Sequence, residues 1–239
     1  MQYTVKRFKN QISHETPGTQ TTEVSILSRG WTMHYQSYGW LEPILASMRT
    51  NDGNIRVSRN DIFNTGNRRE RLVKILFWGY PSAFRDSNYL NSILGSIDSI
   101  IKYLPVFNSR LSQNHFLQLY RNLSGINGLS ESTISKILCF WGLKIASSEA
   151  VIVDQFVLEC CHLYDDFWDI EVFNRGGEQY LKVVKKINRL ARSICVEPQQ
   201  LELFLFKSGK AIKETRRSLY RSLLSYSGLA ISEEDKNQE

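Results

Sequence analysis

The sequence predicts a mainly α-helical protein, and three observations carry that prediction. Apolar residues recur at helical spacing over most of the chain from Trp40 onward; the clearest run is "NYLNSILGSIDSIIKYL", with Leu90, Ile93, Leu94, Ile97, Ile100, Ile101 and Leu104 on one stripe. Helix punctuation separates the runs, as in Gly79 and Pro81 after "NRRERLVKILFW" and Pro198 opening "EPQQLELFLFKSG". Composition agrees: of 239 residues, 42% are hydrophobic and 23% charged, the profile of a globular chain with a substantial core.

Taken in order, residues 1–36 mix Thr, Ser, Gln and β-branched residues, as in "TQTTEVSIL", without helical period; they read as an irregular arm or short strands. A helical domain follows over 37–228. Its first helix, "GWLEPILASMR", is short. The next, "NRRERLVKILFWGYP", carries Leu72, Ile75 and Leu76 and stops at Gly79, and the long stripe through Leu104 reads as one helix. "SQNHFLQLYRNL", the turn "SGINGLS" and a helix from Glu131 to Trp141 form a hairpin at 125–141. A helix then starts near Asp154 in "VIVDQFVLECCHL", and the connection "DDFWDIEVFNRGG" leads into "GEQYLKVVKKINRLARSI". In the last third, Gly209 is expected to break "EPQQLELFLFKSG" from a final helix ending near Ser225, and 229–239 reads as a disordered tail.

No apolar run approaches the roughly 20 residues of a membrane helix, and "MQYTVKRFKN" lacks the apolar stretch of a signal peptide, so a cytoplasmic protein without membrane association is expected. Cys139, Cys160, Cys161 and Cys195 show no metal-ligand spacing, which argues for free thiols and against zinc or an iron-sulfur cluster. The formal charge of +6 and pI near 9.1 fit a polyanion partner. The excess lies late: Gly176 to Ser225 holds eleven Lys and Arg against four Glu.

On the helix after the turn, Ile134, Ile137, Leu138 and Trp141 share one stripe, and Lys136 points to the opposite side with Cys139 and Phe140. That side is either solvated or the wall of a cleft. In the turn, Gly128 suits a tight reversal whose following backbone N–H groups can hold a DNA phosphate, and Ser130 is either the helix N-cap or a phosphate donor. Eighteen residues after Lys136 stands Asp154, which either caps its helix or carries charge in a site. Further on, Glu202 and Phe206 are four apart on one helix and reach the same side; the alternative is a core helix with Glu202 solvated.

The hairpin, the lysine and an aspartate opening the next helix resemble the helix-hairpin-helix superfamily of DNA glycosylases, in particular the 8-oxoguanine DNA glycosylase branch and its bacterial relatives; the match spans about residues 66–225. The resemblance implies two helical lobes around a cleft, with Lys136 as the nucleophile toward C1′ and Asp154 as the carboxylate that offsets charge on the sugar or shuttles the proton. It also implies base flipping into a pocket where Phe206 stacks and Glu202 accepts from a purine edge, walled by Cys139, Phe140 and Trp78. Gly128, Ser130, Ser132, Lys185 and Arg189 become phosphate contacts. Two departures stand out: Ser132 occupies the customary lysine position, with Lys136 one turn later, and Ser130 replaces the second glycine of the hairpin. Damaged duplex DNA is the implied partner, of a monomer needing neither metal nor cofactor. Excision of an oxidised purine, with or without strand cleavage by β-elimination, is the first reading. An N-glycosidase of bacterial anti-phage defence acting on another modified nucleic acid or nucleotide, and a DNA-binding module without chemistry, are the alternatives.

Overall fold

The computed structural model of the protein describes residues 4–25, 31–32, 37–80, 87–161, 163–170 and 176–226. In chain order the helices are α1 (Lys9–Ser13), α2 (Leu41–Ser47), α3 (Arg59–Asn64), α4 (Arg68–Gly79), α5 (Ser87–Gly95), α6 (Ile97–Tyr103), α7 (Gln113–Ser124), α8 (Glu131–Phe140), α9 (Gln155–Cys161), α10 (Gly177–Ser193) and α11 (Pro198–Tyr226). The short strands are β1 (Thr21–Val24), β2 (Ile55–Ser58), β3 (Arg110–Leu111), β4 (Lys144–Ile145) and β5 (Ser148–Glu149). The chain is thus mainly α. The sequence-predicted disordered tail at 229–239 lies outside the described residues.

Side-chain caps set several boundaries, because a helix N-terminus leaves N–H groups that a nearby oxygen can satisfy. Ser58 and Asp61 form a reciprocal capping box on α3, Asn67 caps α4, and Ser112 caps α7. The segment before residue 36 contributes to the core rather than lying on it. β1 pairs antiparallel with β2, from Thr21 opposite Ser58 to Val24 opposite Ile55. Val5, Ile12 and Trp31 are fully buried, and Phe8 packs between Tyr164 and Phe204 at 5.8 and 5.5 Å.

Two sequence-based boundaries need correction. The stripe from Leu90 to Leu104 is split into α5 and α6 at Gly95 and Ser96, where Ser96 leaves helical geometry at φ −98°, ψ 6°. Periodicity survives because both pieces bury the same apolar side. Conversely, α11 runs unbroken through Gly209. A Cβ at 209 would lie 2.0 Å from the Phe156 carbonyl oxygen, so this glycine admits close contact between α11 and α9.

At the centre lies α8, in which every residue from Thr133 to Phe140 is buried. It packs against α3, α4 and α7, so its expected polar side faces protein as its apolar stripe does. β4 and β5 follow as an antiparallel hairpin with β3 parallel to β4, and α11 packs on α9 and α10.

Candidate active site

Residues on α8 and the chain that returns to it build the site. Ser130 caps α8 by accepting the Thr133 N–H at 3.2 Å, and its hydroxyl also meets Tyr80 and Thr133 at 3.2 and 2.8 Å. Before it, Gly128 holds φ at +90°, and a Cβ there would come within 2.8 Å of the Tyr89 carbonyl oxygen. Its lack of a side chain therefore serves both the turn and the docking of α5.

One turn into α8, the Ser132 hydroxyl accepts a hydrogen bond from Lys136 Nζ at 2.7 Å. Lys136 is 8% exposed, a burial that few lysines reach. Its amine lies 5.1 Å from the centre of the Tyr80 ring, whose hydroxyl is 2.6 Å from Thr133 Oγ1. Gly79 makes room for the stem: a Cβ at 79 would lie 3.1 Å from Lys136 Cδ and 3.3 Å from Cε. Sequence reasoning missed Gly79 in this role, reading it only as a helix stop.

Ser135 and Cys139, one turn apart on α8, hold the incoming segment before α9. Ser135 Oγ accepts the Val153 N–H at 3.1 Å and shares its single proton between the Ser132 and Val153 carbonyls, at 2.8 and 3.1 Å, and the Cys139 sulfur interacts with the backbone of Ile152. Asp154, the next residue, is thereby fixed against the helix that carries Lys136. Its Oδ1 accepts the Val157 N–H at 3.0 Å, so it does cap α9. Among the described residues no ion pair within 4.0 Å joins Lys136 to Asp154; both act electrostatically, with opposite sign, on the Glu202 carboxyl.

Glu202 is where the expected base pocket must be corrected. It is fully buried, and Arg59 donates to both of its oxygens, at 2.8 and 3.0 Å, so the carboxylate is engaged inside the core and not presented to a purine edge. Burial pushes this carboxyl upward against the pull of Arg59, while the guanidinium, despite its own burial, is raised by the carboxylate beside it. The Arg59 Cζ lies 5.2 Å from the Trp78 ring and 6.0 Å from that of Phe140, and those rings meet edge-on at 5.3 Å. Trp78 and Phe140 therefore wall an occupied ion pair. Arg59 went unnoticed in the sequence because it lies 143 residues from its partner.

Phe206 stands one turn after Glu202 on α11 but, unlike it, is not sealed in the core. It is half-buried and packs edge-on to Phe156 at 5.5 Å. Burial pushes the Cys139 thiol up to about 12, so it stays protonated and inert. Lys185 and Arg189 are exposed on α10, in a cleft of their own apart from Lys136. The structure thus brings Lys136, Ser132, Ser130 and Gly128 together around the first turns of α8, ties Val153, the neighbour of Asp154, to Ser135 on the same helix, and buries Cys139, Phe140, Trp78 and Glu202 in the core.

A protein-family model described as "Putative 8-oxoguanine DNA glycosylase OGG-like protein" matches residues 18–206. No curated protein and no solved structure matches the chain.

Proposed function

We infer the role of the site from one premise: the chain belongs to the OGG-like family, whose model spans the segment from Gly18 to Phe206. At family level that is a DNA glycosylase with DNA as its partner. The finer reading proposed here is excision of a modified purine with Lys136 as nucleophile and Asp154 as its carboxylate. The observation that carries it is the burial of the Lys136 amine against Ser132 on a helix to which Ser135 ties the segment ending in Asp154.

A flipped nucleotide must present C1′ to the amine while positive charge grows on the sugar. Neutral Lys136 Nζ attacks C1′, the N-glycosidic bond breaks with its electrons leaving on the base, and the base takes up a proton. Asp154 takes a proton from the nitrogen and returns it to O4′ as the C1′–O4′ bond breaks, which leaves a protonated Schiff base between Lys136 and the ring-opened sugar. Asp154 offsets the developing cation and receives the proton. Ser132 holds the amine in place before attack; it stands where relatives carry the lysine, and one helical turn brings Lys136 to the same face. In this reading the turn at Gly128 and Ser130 grips phosphate next to the flipped base.

The test is borohydride trapping on duplexes carrying 8-oxoguanine or other modified purines, beside a base-release assay. Trapping is expected for the wild type and lost in Lys136→Gln. Gly79→Ala, which presses on the lysine stem without removing the amine, is expected to lower trapping severalfold while the fold persists by circular dichroism. Base release that survives Lys136→Gln would overturn the lysine assignment in favour of water activated by Asp154. Absence of any base release from duplex, single strand or RNA would leave a binding module.

A further inference from the structure

A second charged feature stands apart from the lysine site. Lys182, Lys185, Arg189 and Arg192 face outward on α10 and line a cleft of about 580 Å³ whose opposite wall is the 169–170 turn. Lys186, also in this cleft, is paired with Asp169 at 2.7 Å, and that pairing leaves the other four cations in excess. Lys185 donates to Gln113 at 3.1 Å and Arg192 to the Asn188 carbonyl at 3.3 Å, both neutral partners. One residue before Asp169 stands Trp168, 84% exposed and the most exposed of the large hydrophobic side chains described. Its indole is open to water and adjoins in sequence Asp169 and Ile170, which line the cleft.

We propose that this cleft is a second nucleic-acid site, taking a single-stranded segment whose phosphates run along α10 while a base stacks on Trp168. The cations recur every three or four residues, and from Lys182 to Arg192 the helix rises about 15 Å, which matches a run of about four phosphates at ~3.4 Å per nucleotide of a stacked strand. Trp168 decides between single and double strand. In a duplex the base faces are occupied by neighbouring pairs, whereas a single strand offers them to an aromatic platform. The site uses none of the residues around Lys136, and it does not depend on whether that lysine performs chemistry.

The experiment measures anisotropy of a labelled oligothymidine 20-mer (roughly the length of one to several single-strand site sizes) and of an unmodified duplex of equal length. It is done in the Lys136→Gln background over a series of salt concentrations. The single strand is expected to quench tryptophan fluorescence, and Trp168→Ala to weaken its binding about tenfold, with partial recovery in Trp168→Phe and little effect on the duplex. Lys182→Glu with Arg189→Glu is expected to reduce the slope of log K against log salt by about 0.7 for each phosphate that is no longer neutralised. Wild-type affinity in Trp168→Ala, or an unchanged slope in the double variant, would overturn the site. Equal losses on single strand and duplex would overturn the single-strand assignment. Because unmodified oligonucleotides are used, such a failure leaves the borohydride result untouched.

Discussion

Removal of the Arg59 guanidinium tests the correction made to Glu202. The two side chains are 1% and 0% exposed and share hydrogen bonds of 2.8 and 3.0 Å, so Arg59→Ala leaves a buried carboxyl with no ionic partner. Breaking such a pair from one side costs ~3–5 kcal/mol, about a fifth or more of a typical stability of ~5–15 kcal/mol. Burial already pushes Glu202 upward, and without Arg59 the largest opposing pull is gone, so its folded pKa rises further. A carboxyl whose folded pKa lies above its unfolded value contributes stability at acid pH and loses it as pH rises through the folded pKa. Arg59→Ala should therefore be more stable at about pH 5 than at about pH 8, by more than the wild type is over the same range. Urea unfolding followed by circular dichroism at both pH values measures this. Arg59→Met with Glu202→Leu, which removes both charges and keeps the volume, should recover most of the loss. A single-variant cost below about 1 kcal/mol would refute the reasoning, since it would mean the carboxyl is not buried against the guanidinium in solution.

Three further outcomes follow from the packing. Gly209→Ala should destabilise by about 1–2 kcal/mol in urea unfolding, because the overlap with the Phe156 carbonyl exceeds the ~1 kcal/mol that alanine gains in a helix; a stabilised variant would contradict the close approach. In native protein an aromatic disulfide reagent should titrate one thiol, Cys195, since Cys139, Cys160 and Cys161 are buried, with burial pushing Cys139 up to about 12 and Cys160 up to about 11; all four should react in denaturant. Burial opposes the ionised form of Asp61, but hydrogen bonds from the Ser58 hydroxyl and N–H outweigh it and lower the carboxyl below its ordinary 3.8. Its contribution is present above that value and lost as pH falls through the lowered one, so Asp61→Asn should flatten acid unfolding by under about 1 kcal/mol, solvent screening keeping the effect small.

What the sequence made legible, and what it did not, divides along a physical line. Helices were readable because burial imposes a period on their own residues, and capping was one of the two readings open in the sequence for Ser130 and for Asp154, each of which does cap its helix. Gly209 misled because a glycine's missing side chain signals flexibility locally, whereas here it signals the nearness of Phe156, more than fifty residues away in the chain. Lys136 shows both halves at once. Its position opposite an apolar stripe was visible, yet the stripe implied an exposed side only on the assumption that α8 lies at a surface, and α8 is buried all round. The same fact explains Glu202: an acid within "LELFLF" has to find a cation or remain neutral, but nothing in that stretch selects Arg59 among the many basic residues. Burial of α8 thus strengthens the case for Lys136 while weakening that for Glu202. Among the described residues the buried Lys136 amine meets the Ser132 hydroxyl and no carboxylate within 4.0 Å, whereas the Glu202 carboxylate is sealed from solvent in a two-oxygen pair with Arg59.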